Sequence, residues 1–599
     1  MCGIVGYIGK QNTAEILLNG LKELEYRGYD SAGIAMLNEN NIDVFKAVGK
    51  IANLNDKVGS NIDNSYELGI GHTRWATHGK PTELNAHPHL GEYSYVVHNG
   101  IIENYKELKD ELINLGHKFV SQTDTEVIVH LFEHYFNDLN DATKAFETTV
   151  KRLDGAYSIL LITKAQKDTI FFMKHGSPMA IAKGDNENEF LIASSDAPLI
   201  GLAKEVVYLE DGVYGKLTAS SIEFSQDVSW VNLPSSKQLA QKDGYRFFME
   251  EEIYEQDDVV TDAMLGRLGD SSIDFDEFDS SIIEGIDEIK ICACGTSYHA
   301  GLTASYLFER LAKVRCSVEI ASEFRYKEPL LSKNTLFLVI SQSGETADTL
   351  EALKMAKNAG LKSIVICNVD NSSMTRVADH TVLTRAGIEK GVASTKAFST
   401  QTVVLWMMAL YFAKHKQTIC DDAISNEIDA LREVPRSLKV YDIVHEKCRR
   451  LSKRYLHGHG FFFIGRDVFF PLALEGALKL KEISYLHAEG YPAGEMKHGP
   501  IALADPELFT IALMPQHLHY DKIKSNVEEL SARDSTICAI SPLEFELADD
   551  FIKTSKTDHY MLEFFEMLVV LQLLSMEISV RLGNDVDMPR NLAKSVTVE

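Results

Sequence analysis

Short apolar runs of strand length punctuate the first third of the chain. "GIVGYIG" (3–9), "SAGIAML" (31–37), "YSYVVHNG" (93–100), "YSILLIT" (157–163) and "TIFFMKHG" (169–176) are rich in β-branched and aromatic residues. Helical stretches around 103–116 and 124–137 interrupt them, so residues 2–220 are expected to form a layered α+β domain with stacked sheets. Residues 221–245 have weak periodicity and a Pro-Ser-Ser step, and read as a linker. From 246 the texture changes. Continuous apolar runs, "IKICACG" (289–295), "NTLFLVIS" (334–341) and "KSIVICN" (362–368), alternate with long helical segments. That is the pattern of a doubly wound parallel sheet buried on both faces. "GFFFIGR" (460–466) opens a second strand, glycine turn and helix unit, and "LFTIALM" (508–514) is its next buried strand. The recurrence predicts an internal duplication, with domains at 246–435 and 436–590. A helix over 558–582 is expected to cover the second sheet, and the tail from 591 to 599 is irregular.

The remaining apolar stretches, "VVLWMMALYFA" (403–413) and "MLVVLQLLSM" (567–576), are too short to span a bilayer and read as core helices. The N-terminus lacks the basic and apolar regions of a secretory leader. The 599 residues carry a net charge of −27 with no basic cluster, which argues against nucleic acid or an anionic membrane as partner. The eight cysteines include no CxxC pair. Free thiols in a reducing, cytoplasmic setting are expected, and "CAC" (292–294) is no zinc site because no second ligand pair exists.

Several motifs carry candidate chemistry. Removal of Met1 would leave Cys2 with a free α-amine titrating near about 7.7–8.0, able to take the proton of its own thiol. Gly3 would leave space for a substrate. "HNG" (98–100) offers the Asn99 amide and the Gly100 N–H as an oxyanion hole, or else a β-turn, which Asn-Gly favours. Arg74 in "GHTRWATHG" (71–79) suits a carboxylate. Asp124 in "TDTE" (123–126) suits an ammonium or a helix cap. "SQSGET" (341–346) follows a buried strand and opens a helix, a phosphate cradle without lysine, or plain N-capping by serine. "CGTS" (294–297) repeats the arrangement, with Thr296 and Ser297 adding hydroxyls. In "LEGALKLKEIS", Glu475, Lys479 and Glu482 share one helix face, as a reactive set or as a solvated salt-bridge stripe. His498 precedes Gly-Pro in "GEMKHGP".

Taken together, "CGIVGYIG", "RGYDSAG" (27–33), "GHTRWATHG", "HNG" and "TDTE" resemble the glutamine amidotransferase domain of the N-terminal-nucleophile hydrolase family. "SQSGET", "VASTKAF" (392–398) and the tail "PRNLAKSVTVE" resemble paired sugar isomerase domains. The resemblance implies an αββα sandwich followed by two doubly wound parallel-sheet domains. It also implies a glutamine-dependent transferase that builds an amino-sugar phosphate from D-fructose 6-phosphate, the first committed step toward UDP-N-acetylglucosamine, with no metal or organic cofactor. By that resemblance Cys2 attacks the glutamine amide over the Asn99 and Gly100 oxyanion hole. Arg74, Thr77, His78, His87 and Asp124 hold the glutamine, and Trp75 closes the pocket. Ser341, Gln342, Ser343 and Thr346 bind the phosphate. Cys294, Gly295, Thr296, Ser297 and Ser394 line the sugar. His498, from a partner subunit of a homodimer, opens the hexose ring. Lys594, on a tail completing the sugar site, forms a Schiff base with the C2 ketone. Glu482 moves a proton between C1 and C2, with Lys479 assisting. The long insertion associated with eukaryotic forms is missing from the amidotransferase part, which points to a bacterial-type enzyme. "EEEIYEQDD" (250–258) departs from the pattern, with Glu251 for a usual lysine and Asp257 for a usual proline. Another glutamine amidotransferase acting on a different phosphosugar shares the N-terminal set but not the second half. A regulator that has lost catalysis would not keep Cys2, Glu482 and Lys594. A metal-dependent deaminase lacks its ligands here.

Overall fold

The computed structural model describes residues 2–38, 41–59, 65–233 and 242–597. Met1 lies outside them, as does the middle of the expected linker, 234–241. The chain divides into two compact units, one of residues 1–238 with 593–599 and one of 239–592.

The first unit stacks an eight-stranded sheet on a six-stranded one. Strand Gly3–Ile8 lies inside the larger sheet, antiparallel to Leu68–Arg74 and to Phe190–Ala193. Ser94–Ile102 lies in the smaller, antiparallel to Gly155–Thr163. The period-two alternation of these strands builds the layers. Ile4 and Ile8 face inward and pack with Val97, Leu160, Ile162 and Phe172 between the sheets. Their neighbours Val5 and Tyr7 face outward onto Leu17, Leu21 and Leu24 of helix Thr13–Leu24. On the far side Val96, Ile159 and Leu161 meet Val127, Leu131 and Phe132 of helix Glu126–Leu139. Helix, sheet, sheet, helix is the expected sandwich. The expected linker start at 221 is corrected: Ile222–Phe224 and Val231–Asn232 are edge strands of the two sheets.

The second unit contains two five-stranded parallel sheets with one strand order. Read across the first sheet, the strands are Arg315–Ile320, Glu288–Ala293, Thr335–Ser341, Lys362–Cys367 and His380–Leu383. Across the second they are Ala488–Pro492, Gly460–Gly465, Leu508–Leu513, Thr536–Ser541 and Asp550–Lys553. Each order is second, first, third, fourth, fifth along the chain, so the duplication is topological as well as textual. The copies share one apolar core that runs from Ile289 and Leu338 through Trp406 to Phe463, Phe564 and Leu571. Helix Lys396–Lys416, which holds the apolar run from 403 to 413, is buried on every side as far as Ala413. The expected boundary at 435/436 falls inside helix Asp421–Leu438, which continues past Pro435. Among the described residues no helix is long and apolar enough to cross a membrane.

Glu251 lies half-buried in helix Phe248–Tyr254, one turn from Glu255, which pairs with the buried Lys396 at 2.5 Å. Its carboxyl is pushed up to about 7, first by burial and then by Glu255, with Lys396 pulling against them. An unfolded glutamate titrates near about 4.3, so the native state holds the extra proton between the two values. Stability must therefore fall as pH rises through that window. Glu251→Gln is expected to match wild type near pH 4.5 and to be more stable at pH 8 by about 1 kcal/mol, the shift being discounted for solvent screening. Denaturant midpoints at both pH values check this. Parallel curves would show that Glu251 pays no cost on ionising.

Candidate functional site

Cys2 stands at the mouth of strand Gly3–Ile8. The Trp75 N–H donates to its Sγ at 3.3 Å, and the Sγ lies 3.5 Å from the Trp75 carbonyl. Burial pushes the thiol up from its ordinary range, while the Trp75 N–H and Arg74 pull it down. Asn99 reaches across from the other sheet, its Nδ2 donating to the Cys2 carbonyl at 3.2 Å. Its Oδ1 is buried without a partner. The turn reading of "HNG" is not what forms. The strand continues to Ile102, with Asn99 opposite Ser158 and Gly100 opposite Tyr157. Gly100 is required there: φ is +128°, and a methyl group would lie 1.9 Å from the Ala156 carbonyl oxygen. Gly3, by contrast, does not open space for substrate. A Cβ on it would strike Leu24 Cβ and Thr73 Oγ1 at 2.7 Å, so it lets the first helix lie against the strand.

Arg74 ends strand Leu68–Arg74 and is buried. Its guanidinium donates to the carbonyls of His78, Gly79 (3.1 Å) and Lys80 (3.5 Å), and so gathers the loop that carries Thr77 and His78. The Trp75 side chain is half-buried beside this loop, Thr77 is exposed and His78 lies edge-on to Tyr105. Asp30, from "RGYDSAG", fixes the loop start by accepting from Ala76 N–H at 2.8 Å. Asp124 does not cap a helix. It is buried and accepts from Ile102 N–H at 2.9 Å, tying its segment to the strand of Asn99. Glu126 takes the Val120 and Ser121 amides instead.

Behind these residues His87 joins a packet of buried imidazoles whose other members, His72, His89 and His98, the sequence reading did not single out. His72 lies against His87 with ring centroids 3.9 Å apart and planes tilted by 34°, and its Nε2 meets the His98 carbonyl at 3.0 Å. The Thr125 hydroxyl lies 2.9 Å from both His87 Nε2 and His98 Nδ1. One hydroxyl has one proton, so it can donate to at most one of these rings, and at least one of the two nitrogens facing it must carry a proton. Burial pulls all of His72, His87, His89 and His98 down, which keeps the packet neutral at neutral pH.

In the second unit, "SQSGET" spans the end of strand Thr335–Ser341 and the start of helix Ala347–Asn358. Ser341 Oγ accepts from Gly344 N–H at 3.0 Å and lies 3.2 Å from Thr346 Oγ1; Ser343 Oγ accepts from Glu345 N–H at 3.2 Å. Gln342 is half-buried beside them. Thr346 is the N-cap residue but its side chain makes no capping bond. The simple capping alternative is therefore not realised, and the hydroxyls are gathered at the helix mouth. Gly344 has φ +65°, and a Cβ there would meet Ser372 Oγ at 2.0 Å.

The neighbouring strand ends at Ala293, and the next residue, the half-buried Cys294, is the N-cap of helix Gly295–Leu307, again without a side-chain cap; Gly295 has φ +55°. Ser297 is half-buried in the first turn. The Thr296 hydroxyl is not free as expected. It donates to Glu475 Oε1 at 3.1 Å and accepts from Lys479 Nζ at 3.2 Å. Glu475 and Lys479 lie on helix Phe469–Ser484 of the second copy and are each 1% exposed, so the solvated stripe is also corrected. Lys479 pairs with Glu475 at 3.3 Å and with Glu482 at 2.8 Å. Burial pulls its ammonium toward neutrality, but the two carboxylates outweigh it and hold the pKa above its ordinary value. The structure thus brings the "CGTS" turn of one copy against the Glu475–Lys479–Glu482 face of the other. Ser394 is half-buried just ahead of helix Lys396–Lys416. His498 is exposed at the end of the 3-10 turn Ala493–His498, and Lys594 falls in the first unit, half-buried.

The second copy's own switch-point turn is different. Ile340 of the first sheet sits between Ala293 and Ile366 as Ala512 of the second sits between Ile464 and Ala539. By that register Gln516 and His517 stand where Gly344 and Glu345 stand. Their N–H groups donate to Glu563, a fully buried carboxylate on helix Tyr560–Arg581, at 2.9 and 3.2 Å.

Comparison with known proteins agrees with this layout. The glutamine amidotransferase domain family matches residues 74–200, and the SIS domain family matches 282–411 and 458–555. The chain is 60% identical over its full length, and that of the relative, to a glutamine–fructose-6-phosphate aminotransferase [isomerizing] of Campylobacter jejuni. It is 53% identical, again over all of both chains, to the protein of that name from Helicobacter pylori. A solved C-terminal domain of glucosamine-fructose-6-phosphate aminotransferase from Francisella tularensis covers 59% of this chain and 100% of its own, at 40% identity and a TM-score of 0.56. On this identity, sustained from end to end over both units, the chain belongs to the glutamine–fructose-6-phosphate aminotransferase (isomerizing) family.

Proposed function

We propose that this chain transfers the amide nitrogen of L-glutamine to D-fructose 6-phosphate, giving D-glucosamine 6-phosphate and L-glutamate. The observation that carries the reading is that one chain holds two chemically complementary sets. In the first, a thiol lies among amide donors. In the second, a carboxylate rides on a buried lysine against a turn of hydroxyls. In the first unit Cys2 Sγ attacks the glutamine carboxamide carbon. The oxyanion is received by the Asn99 Nδ2–H and the Gly100 N–H, and ammonia leaves from the tetrahedral intermediate. Water then hydrolyses the γ-glutamyl thioester. Because burial raises the thiol, a base must take its proton, and the α-amine of Cys2, freed by loss of Met1, is suited to that. Arg74, Thr77, His78, His87 and Asp124 hold the zwitterion and side chain of glutamine, and Trp75 covers them.

In the second unit Ser341, Gln342, Ser343 and Thr346 bind the phosphate, using hydroxyls and helix-mouth amides in place of cations. Cys294, Gly295, Thr296, Ser297 and Ser394 line the sugar. His498 of a second subunit opens the ring, and Lys594 condenses with the C2 ketone. Ammonia displaces the lysine from the imine, and Glu482 carries a proton from C1 to C2, converting ketose imine to aldose amine. The water released on imine formation balances the water consumed at the thioester. We place the enzyme in the cytoplasm as a homodimer; eight free thiols suit a reducing compartment.

Two experiments test the halves. Cys2→Ala is expected to lose glutamine-dependent synthesis yet make glucosamine 6-phosphate from ammonium salts, whereas Lys594→Ala makes none from either donor. Parallel assays of glutamate and amino sugar read this, and glutamate without any amino sugar in wild type would refute the acceptor. Asn99→Ala is expected to lower glutamine hydrolysis by about 10²–10³-fold, with ammonia-dependent synthesis retained. Glutaminase turnover within twofold of wild type would remove Asn99 from the oxyanion hole.

A further inference from the structure

Glu475 and His299 have no part in the steps above, yet they are the most constrained members of the second-unit site. Glu475 is a fully enclosed carboxylate whose two oxygens are both engaged. Oε2 lies 2.8 Å from His299 Nδ1, and Oε1 takes the Thr296 hydroxyl at 3.1 Å and the Lys479 ammonium at 3.3 Å. Lys479 donates to Thr296 and ion-pairs with Glu475 and Glu482, so its charge is shared between two carboxylates. A carboxylate only accepts, so His299 must carry its proton on Nδ1. Among the described residues, the charged groups on the elements packed against this helix are engaged elsewhere. On helix Tyr560–Arg581, Glu577 is taken by Arg246 and His445, Glu563 by the Gln516 and His517 amides, Glu566 by Ser555, and Arg581 by Ser452. On strand Ala488–Pro492, Glu489 pairs with His487 and Tyr491. On helix Gly295–Leu307 the remaining titratable groups are Tyr298 and Tyr306.

We infer that Glu475, fixed by His299, is the positioning residue that clamps Lys479 against Glu482 and thereby sets the basicity of the carboxylate that moves the sugar proton. This rests on the proposed role of Glu482. With its charge shared between two carboxylates, Lys479 acts as a fixed cation and gives up no proton. Glu482 thus shares the ammonium with Glu475 instead of holding it alone. If Glu475 loses its charge, Lys479 turns wholly to Glu482, whose affinity for protons falls, and the ammonium itself loses one of its two anions.

The test uses the full-length chain with saturating ammonium salt, comparing each variant with wild type as a ratio at each pH. Glu475→Gln keeps the shape and removes the charge. It is expected to lower kcat by roughly 10²-fold with KM for fructose 6-phosphate little changed, and to move both limbs of the profile to lower pH. His299→Leu is expected to shift the profile in the same direction by less. His299→Asn, whose Nδ2 can stand where Nδ1 stands, is expected to restore it. Glu482→Gln separates the two claims. If it remains active, the proposed role of Glu482 falls and this inference with it. If it is inactive while Glu475→Gln keeps the wild-type profile and kcat, only the positioning role is overturned. Equal loss in His299→Leu and His299→Asn without a pH shift would likewise mean a merely structural pair.

Discussion

A lysine with 1% exposure needs compensation, and Lys479 receives it from both copies of the duplicated fold. Its carboxylate partners come from its own helix, while the hydroxyl of Thr296 and the imidazole that holds Glu475 come from the first copy. Taking such charges out of water costs several kcal/mol per ion, and removing one partner costs about 3–5 kcal/mol because an unpaired charge stays behind. The arrangement therefore forces the two helices to meet in one register. That register sets the hydroxyl-rich turn of one copy beside the carboxylates of the other. Neither copy contains the whole constellation.

The first unit solves a different problem, that of holding a thiol still at the mouth of a strand, where the surroundings must supply the restraint. Trp75 does so through its backbone, and Asn99 through a bond to the Cys2 carbonyl. Those two are themselves fixed from behind. Asp30 and Arg74 gather the Trp75 loop, and Asp124 ties down the strand of Asn99. The neutral imidazole packet fills the space beneath with groups that can hydrogen bond without bringing charge near the thiol.

Much of this was legible in the sequence, and the misreadings share a cause. Continuous apolar runs ending in glycine and serine announced the parallel sheets, and the repeated texture announced the duplication. Spacing shows which residues share a face but not what covers it. Spacing put Glu475, Lys479 and Glu482 on one face but left a reactive set and a solvated stripe both open, because the helix that meets Glu475 and Lys479 lies far away in the chain. Local propensity kept a turn open as the alternative at Asn99-Gly100. The pair favours turns, but here the positive φ of Gly100 serves a close approach to Ala156 inside a continuing strand. Gly3 was assigned to the substrate when its neighbour is Leu24. Pro435 sits within a helix that a boundary was expected to break. The corrections at Gly3, Gly100 and Glu475 each come from a tertiary partner that local sequence does not show.

Glu563 gives the duplication a further meaning. Two copies of a fold would ordinarily offer two sockets, and an unfilled one would leave its amides bare. Here the protein supplies a permanent occupant from its own helix Tyr560–Arg581. That helix also packs along Phe469–Ser484. The carboxylate that closes the second turn thus rides on the very helix against which the helix of Glu475, Lys479 and Glu482 packs, so that the second copy contributes a helix face where the first contributes a turn.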